Sequence, residues 1–443
     1  MKTKRSFSAI YWPILIELLF FVLMSTVDTL MLSNYSDHAV GSVGNANTLI
    51  MMFAVTLLII TNGVAVLVSQ YIGAKRDDLA QKVIGNGIVL NLFVGILAAG
   101  IMLLSTDQLL QLVNTKPVLY NDSKIYFQVI AISLVFVAMS NIVTASLRSY
   151  GYAKQITIVV IIGNIFNIMG NYLLIYGRFG FPELGVYGAA LSTLFVRSLM
   201  LLVYLAMAFV LVHVRVKHIR IEKELSKQIL KIGLPSAGES LTYTIMQSII
   251  LGMVNQLGPD MTTSRSYINT ILTYIYVFSL AYASANGIMT GYYIGERDYN
   301  KAHQQTMKTA IRSMFIVIAA TLLVNLFSGQ IVGIFTSNPT IVSTVRNILW
   351  LAILLEFARS FNMIFISALR AAGDTAFPLK LAIVSMIGIT IGLAYLFGIV
   401  LNLGLFGIYM AYVSDELFRG VFMYARWQSR KWEAKSSYLE NTV

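Results

Sequence analysis

The chain has 443 residues, 57% of them hydrophobic and 12% charged, with a mean hydropathy of +0.74. A soluble protein of this length carries about twice that charge, so the composition excludes a water-soluble fold and points to a bilayer as solvent. The lack of cysteine excludes disulfides, thiol catalysis and thiolate metal sites, and four dispersed histidines give no pattern for a metal centre.

The opening Met1-Lys-Thr-Lys-Arg imitates a secretory leader. The apolar run behind it passes about 20 residues, contains Glu17 and Asp28 and lacks a small-x-small cleavage site, so it reads as a retained first helix. Runs able to cross about 30 Å of hydrocarbon at about 1.5 Å per residue then follow one another. They lie at residues 8–33, 45–72, 84–106, 124–147, 155–177, 184–212, 230–257, 267–293, 309–334, 341–369, 377–399 and 404–425. The clearest loop is Asn114-Thr115-Lys116-Pro117, and residues 213–231 form the one long charged connection. The predicted fold is an all-α membrane protein of twelve transmembrane helices in two six-helix bundles. Its predicted parts are an N-terminal bundle (1–212), a cytoplasmic linker (213–231), a C-terminal bundle (232–425) and a cytoplasmic tail (426–443).

The two halves repeat at an offset of 222 residues. Pro13 and Glu17 recur as Pro235 and Glu239, Ile72-Gly73 as Ile294-Gly295, and Leu147-Arg148-x-x-Gly151 as Leu369-Arg370-x-x-Gly373. Self-similarity at one period is a signal of architecture, and transporters place their substrate path between such repeats.

Positive residues near short loops stay on the cytoplasmic side. One set of loops holds Lys2, Lys4, Arg5, Lys75, Arg76, Lys82, Arg148, Lys154, the six basic residues of the linker, Arg297, Lys301, Lys308, Arg312, Arg370, Lys380, Arg426, Arg430, Lys431 and Lys435. The alternate loops hold only Lys116, Lys124, Arg178, Arg265 and Arg346. Both termini are therefore predicted to be cytoplasmic. Six helices per repeat is an even number, so the repeats share one orientation about a pseudo-twofold axis along the membrane normal. The formal charge of +12 follows from this bias and needs no nucleic-acid partner.

Acids inside apolar spans are costly there and mark pathways or relays. The chain has Glu17, Asp28, Glu239, Glu356, Asp415 and Glu416. Glu17 and Asp28 share one face of the first helix about 16 Å apart, which puts Asp28 in the outer half among the hydroxyls of Ser25, Thr26 and Thr29. For Glu17 and Glu239, just after helix-kinking prolines, two readings stand: a functional pair, or a support for the bend that duplication copied. Glu356 and Arg359 at i, i+3, and Asp415 and Arg419 at i, i+4, are spaced to neutralise each other, and Arg197 is the counterpart of Arg419. Asn164, Asn167 and Asn171 align their amides along one stripe, either to glue helices or to ligate an ion. Their counterparts Met386, Ile389 and Leu393 are apolar, which favours a coupling site in the first repeat. The second repeat is rich in aromatic residues and methionine: Tyr243, Met246, Gln247 and Met253, then Tyr267, Tyr274, Tyr276 and Tyr282. They read either as core and interfacial packing or as a chamber for lipophilic organic cations.

No Gly-x-x-x-x-Gly-Lys-Ser/Thr motif is present, so the chain carries no nucleotide motor of its own. A membrane hydrolase lacks its nucleophilic constellation. The major facilitator fold lacks its Gly, Asp and repeated Arg signature at Gly73-Ala-Lys-Arg-Asp-Asp. A lipid or lipid-linked glycan flippase remains the alternative, distinguished by a cavity lined with several arginines.

Pro13, Val27-Asp28-Thr29, Gln70-Tyr71-Ile72-Gly73-Ala74, the paired Leu-Arg-x-x-Gly turns with Gly373-Asp374-Thr375, and Gly177-Arg-Phe-Gly-Phe-Pro-Glu-Leu-Gly185 together resemble the multidrug and toxin extrusion (MATE) family over essentially the whole chain. The resemblance implies a V-shaped pair of six-helix bundles in the cell membrane, exporting organic cations in exchange for H⁺ or Na⁺ by alternating access. It implies a monomer with no cofactor beyond the coupling ion, and with small organic cations and membrane lipid as partners. It makes Asp28 the coupling carboxylate, joined by Asn167 and Asn171, with Glu239 as a further ion-coupling candidate. Glu17, Asn164, Tyr243, Met246, Gln247, Tyr274 and Glu356 are the candidate substrate-binding residues. An amide at 171 and the lack of an acid in the eighth helix lean the coupling toward H⁺.

Overall fold

The computed structural model describes residues 6–113 and 115–435. Lys2, Lys4, Arg5, Asn114 and the part of the tail beyond residue 435 lie outside the described residues. Within them the regular structure is helical. The first half holds α1 (Phe7–Tyr35), α2 (Asp37–Gly73), α3 (Asp77–Leu104), α4 (Thr106–Leu112), α5 (Pro117–Ser149), α6 (Ala153–Tyr176) and α7 (Gly185–Leu211). The second holds α8 (Lys223–Gln256), α9 (Pro259–Gly295), α10 (Tyr299–Leu326), α11 (Ser328–Phe335), α12 (Pro339–Ala371), α13 (Ala376–Ala382), α14 (Ile391–Tyr395) and α15 (Gly404–Gln428).

Among the described residues ten helical segments are long and apolar enough to span a membrane. The two other predicted spans, α8 and α15, are helices of 34 and 25 residues with more charged side chains in their sequences. Lys223, Glu224, Lys227 and Lys231 open α8, and α15 carries Asp415, Glu416 and Arg419.

The duplication is visible in the element ends. α3 and α10, α4 and α11, and α5 and α12 begin at equivalent positions of the two repeats, and Pro117 and Pro339 each open a helix where a missing N–H costs nothing. Lys75 and Arg297 both take left-handed backbone, as do Gly151 and Gly373 of the paired turns. At these two glycines a positive φ is reached without the steric cost a side chain would bring. The repeats part at α6. It is one regular helix, whereas its counterpart is broken by a π-helical stretch at Ile383–Thr390 between α13 and α14 and by another at Leu396–Val400 after α14.

The chain divides into two compact units, one of Met1–Ile72 with Arg76–Gly233 and one of Gly73–Lys75 with Leu234–Val443. Lipid is as apolar as leucine, so helices in it associate through close packing and hydrogen bonds rather than through a hydrophobic drive. In the first unit Leu49, Leu57, Met102, Phe127, Ile130 and Leu134 of α2, α3 and α5 interdigitate, and Asn91 donates to the Ala138 carbonyl at 2.7 Å. In the second, Ile250, Leu272, Ile275, Leu349, Leu355 and Ile408 form the centre of a core built on α8, α9, α12 and α15.

The linker is tied to the first unit. Gln81 donates to the Val212 carbonyl at 3.4 Å, Asn86 to that of Glu222 at 2.9 Å, and the Ser226 hydroxyl to Asn86 Oδ1 at 3.1 Å. Its His218 is held below the usual histidine range by desolvation and then by the charges of Lys217, Arg215, Lys82 and Arg220. The start of α8 crosses α2 backbone against backbone: a Cβ on Gly63 would meet the Ile229 carbonyl oxygen at 2.3 Å, and one on Gly233 would meet that of Ile59 at 1.8 Å.

Gly233→Ala is therefore expected to cost about 2 kcal/mol or more, lowering the thermal midpoint of the detergent-solubilised protein. Gly252→Ala on the same helix meets nothing within 4 Å and is expected to leave the midpoint in place. Equal midpoints for the two variants would contradict the close crossing.

Candidate functional site

In the first unit α1 and α6 run parallel and are stapled at two heights. The Thr157 hydroxyl donates to the Pro13 carbonyl at 2.9 Å, and the Tyr176 hydroxyl to that of Met31 at 2.6 Å. This register brings Asn171 level with Asp28, and its amide donates to Asp28 Oδ1 at 2.8 Å. Asn171 is 2% exposed and Asp28 half-buried. The carbonyl oxygen of the same amide, Asn171 Oδ1, is buried with no hydrogen-bond partner among the described residues. One carboxylate and one free amide oxygen thus share a sheltered spot inside a membrane span. Arg197 of α7, held by Ser133 at 2.7 Å, lies within electrostatic reach of Asp28.

The asparagine stripe divides its labour. Asn167 donates to Ser192 and Thr193 of α7 at 3.3 and 3.4 Å, and the Ser192 hydroxyl returns a bond to the Asn167 carbonyl, so this residue fastens α6 to α7. Asn164 is half-buried on the same helix. The hydroxyls expected to pool around Asp28 turn to their own helix instead: Thr26 donates to the Val22 carbonyl and Thr29 to that of Ser25.

Glu17 and Glu239 occupy equivalent ion pairs. Glu17 bonds Arg148, and Glu239 Oε2 lies 2.7 Å from Arg370 Nη2. Each arginine belongs to a Leu-Arg-x-x-Gly turn at the end of α5 or α12. An arrangement present in both units fits the reading of a support for a proline-containing helix against its neighbour.

The second unit collects more charge. Glu356 is fully buried, with Oε1 2.5 Å from Arg359 and Oε2 without a hydrogen-bond partner among the described residues. Glu416 takes Arg419 at 2.9 Å, Arg359 at 3.7 Å and the Asn362 amide at 2.8 Å. Asp415 takes Arg419 at 2.7 Å and the Ser385 hydroxyl from the π-helical turn. Three carboxylates thus face two guanidiniums, a formal excess of one negative charge. The sequence spacing predicts two separate pairs, and the fold merges them because α12 and α15 pack side by side.

The residues read as an aromatic chamber separate. Met246 is 1% exposed within the core, a packing position and not a lining one. Tyr274 is half-buried on α9. Tyr243 and Gln247 face outward from the core and are linked: Gln247 Nε2 donates to the Tyr243 hydroxyl at 2.7 Å, while Gln247 Oε1 accepts from Tyr412 and, at 3.3 Å, from Arg265. Tyr276 lies under the Arg359 guanidinium, 5.8 Å from its ring centre. Arg265, assigned from sequence to an outer loop, sits in the second turn of α9.

A family model for MatE matches residues 13–173 and 235–396. The chain is 37% identical to the uncharacterized transporter YisQ of Bacillus subtilis (strain 168), over 98% of this chain and 96% of that protein. It is 26% identical to the probable multidrug resistance protein NorM of Listeria monocytogenes serotype 4b (strain F2365), again over 98% and 96%. Its fold superposes on the outward-facing conformation of a multidrug resistance MATE family transporter of the MOP superfamily with a TM-score of 0.90, 21% identity and coverage of 98% of this chain and 99% of that one. A MOP superfamily transporter from Pyrococcus furiosus gives 0.89 at 21% identity, covering 97% and 95%.

If the Glu239 pair is a brace, Glu239→Ala and Arg370→Ala are each expected to lower stability by about 2 kcal/mol, between a surface and a fully buried pair. The double variant should cost clearly less than the two singles combined. Additive costs in a thermal or denaturant titration would contradict the brace.

Proposed function

This chain belongs to the MatE family, whose members are transporters and not enzymes, and it is a multi-pass membrane protein; on that premise we propose that it exports organic cations across the cell membrane in exchange for protons. The reading is carried by the contact of Asp28 with Asn171. A carboxylate at membrane depth is retained for a pathway or relay. Its neighbour supplies one amide donor and one unused acceptor, enough to hold a proton between them. A hard metal cation asks for several oxygens at once, and Asp28 with Asn171 supplies fewer.

In this mechanism Asp28 takes a proton from the outside, which removes the negative charge that favours a bound cation, and the cation departs. Once the site reaches the cytoplasm the proton leaves and cation affinity returns. Each ligand shifts the conformational equilibrium only by its differential affinity for the two states. The excess carboxylate of the Glu356, Asp415 and Glu416 network offers the second unit a place for a further positive charge. Pro13 and Pro235 supply the bending points. With basic residues concentrated on one set of loops, both termini face the cytoplasm. Names such as the probable multidrug resistance protein NorM among the relatives support a drug-like cargo, with membrane lipid around a monomer.

Purified protein in proteoliposomes under separately imposed proton and sodium gradients tests this. A proton gradient alone is expected to drive uptake of a lipophilic cation, and Asp28→Asn to bring it to background with the same amount of protein in the membrane. Normal rates in Asp28→Asn, or uptake driven by sodium alone, would defeat the assignment. Asn171→Ala is expected to impair coupling more than Leu393→Ala at the equivalent position of the second repeat; equal effects would remove the case for a site in the first unit.

A further inference from the structure

A set of buried hydroxyls and amides in the second unit has no role in the mechanism so far. α9 and α12 run parallel there: Tyr276 lies under Arg359, and further along Asn286 Nδ2 donates to Ser367 Oγ at 3.2 Å. Ser279 and Ser360 each stand seven residues before that bond, two turns or about 10 Å back along the same two faces, which sets them side by side. Ser360 Oγ is 2.6 Å from Ser313 Oγ of α10, and the hydroxyls of Thr290 on α9 and Thr306 on α10 meet at 3.3 Å. Ser279, Asn286, Thr290, Thr306, Ser313 and Ser360 are all 0% exposed. At one end the column reaches Glu356, one turn before Ser360. Toward the other, Thr309 Oγ1 accepts from Gln305 Nε2 at 3.0 Å. Gln305 is half-buried near the start of α10, with Lys301, Gln304 and Lys308 exposed around it.

Three oxygens along this column are buried with no hydrogen-bond partner among the described residues: Glu356 Oε2, Ser279 Oγ and Asn286 Oδ1. An unpaired buried acceptor is costly, and buried water ordinarily meets such groups, making about three hydrogen bonds to them. Helix glue does not account for the column. Where the second repeat has Ser279, Asn286, Thr290, Thr306, Glu356 and Ser360, the first has Leu57, Val64, Val68, Ile84, Leu134 and Ala138, none more than 2% exposed. The same three-helix packing therefore closes on aliphatic side chains at these positions. Ser313 alone has a polar counterpart, Asn91, which is spent on a backbone carbonyl.

We infer that these residues hold a file of bound water and relay protons between Glu356 and the polar mouth at Gln305, giving the second unit a proton route through its own interior. This goes beyond the export reading, in which the proton is taken at Asp28. Each hydroxyl or water gains a proton on its oxygen and passes on the one it held, so the relay ends unchanged. An O–H bond forms at Glu356 Oε2, and a hydronium at the mouth becomes water. Glu356 is faced by Arg359 of its own helix, with Glu416 of α15 and Tyr276 of α9 against that guanidinium. One proton gained there brings the three carboxylates and two guanidiniums of the network to charge balance.

The test follows hydrogen–deuterium exchange of the Glu356 carboxyl by infrared spectroscopy on the full-length protein in phosphatidylcholine vesicles, with Glu356→Gln identifying its C=O band across a pH titration. Asn286→Val, Thr290→Val and Thr306→Ile combined install the residues with which the first repeat packs, and are expected to slow the exchange at least about tenfold. Thr290→Val alone, an isosteric change, is expected to slow it at least about threefold and decides the matter if the thermal midpoint shows the triple variant to be misfolded. Exchange as fast in the variant as in the wild type, or no carboxyl band lost in Glu356→Gln at any pH, overturns the inference. Slowed exchange in a protein that a proton gradient fails to drive leaves the relay standing while the export reading falls; proton-driven uptake with unslowed exchange does the reverse.

Discussion

A carboxylate placed in a bilayer must be solvated by protein, and at Asp28 that task falls to the amide of Asn171. The contact depends on registering two parallel helices to within a fraction of a turn. The Thr157 bond to Pro13 and the Tyr176 bond to Met31 do this, one toward each end of the pair. Asn167 then holds α6 to α7, so the helix that presents Asn171 is fixed on its other face too. The local packing of the first unit converges on keeping one amide beside one acid while leaving an acceptor oxygen free.

Comparison of the two repeats separates what the fold requires from what the chemistry requires. The glutamate and arginine braces, the left-handed Lys75 and Arg297, the glycines of the paired turns and the short helices α4 and α11 occur in both halves. Their presence in both halves ties them to needs the two repeats share. Asn167 and Asn171 are replaced by Ile389 and Leu393 in the second repeat, while Glu356, Arg359 and Glu416 stand where the first has Leu134, Val137 and Leu194. Each unit has therefore specialised its polar interior: the first keeps a single acid with an amide, the second a buried network of five charges.

Much of this was legible in the sequence because the signals are local or periodic. Apolar runs and the 222-residue offset place the spans, and α8 and α15 form helices where predicted although charged side chains interrupt their apolar runs. The prominence of Asp28 follows from the cost of an acid in lipid. The partners of Glu17 and Glu239 were not legible, because Arg148 and Arg370 lie 131 residues along the chain and read as loop residues. Nor was the division of the asparagine stripe, since spacing puts three amides on one face but does not say which neighbouring helix each meets. Met246 carries the same lesson: its place beside Tyr243 and Gln247 suggests a lining residue, yet the α8 helix turns it into the core.

The central claim is that Asp28 exchanges a proton for a cation. Proton release on binding measures this most directly: tetraphenylphosphonium is added to the detergent-solubilised protein in weakly buffered solution near the midpoint of its titration, and released protons are counted with an indicator dye. The account predicts a release from the wild type that disappears in Asp28→Asn. Equal release from both proteins, or binding to the wild type with no release at any pH, would contradict it.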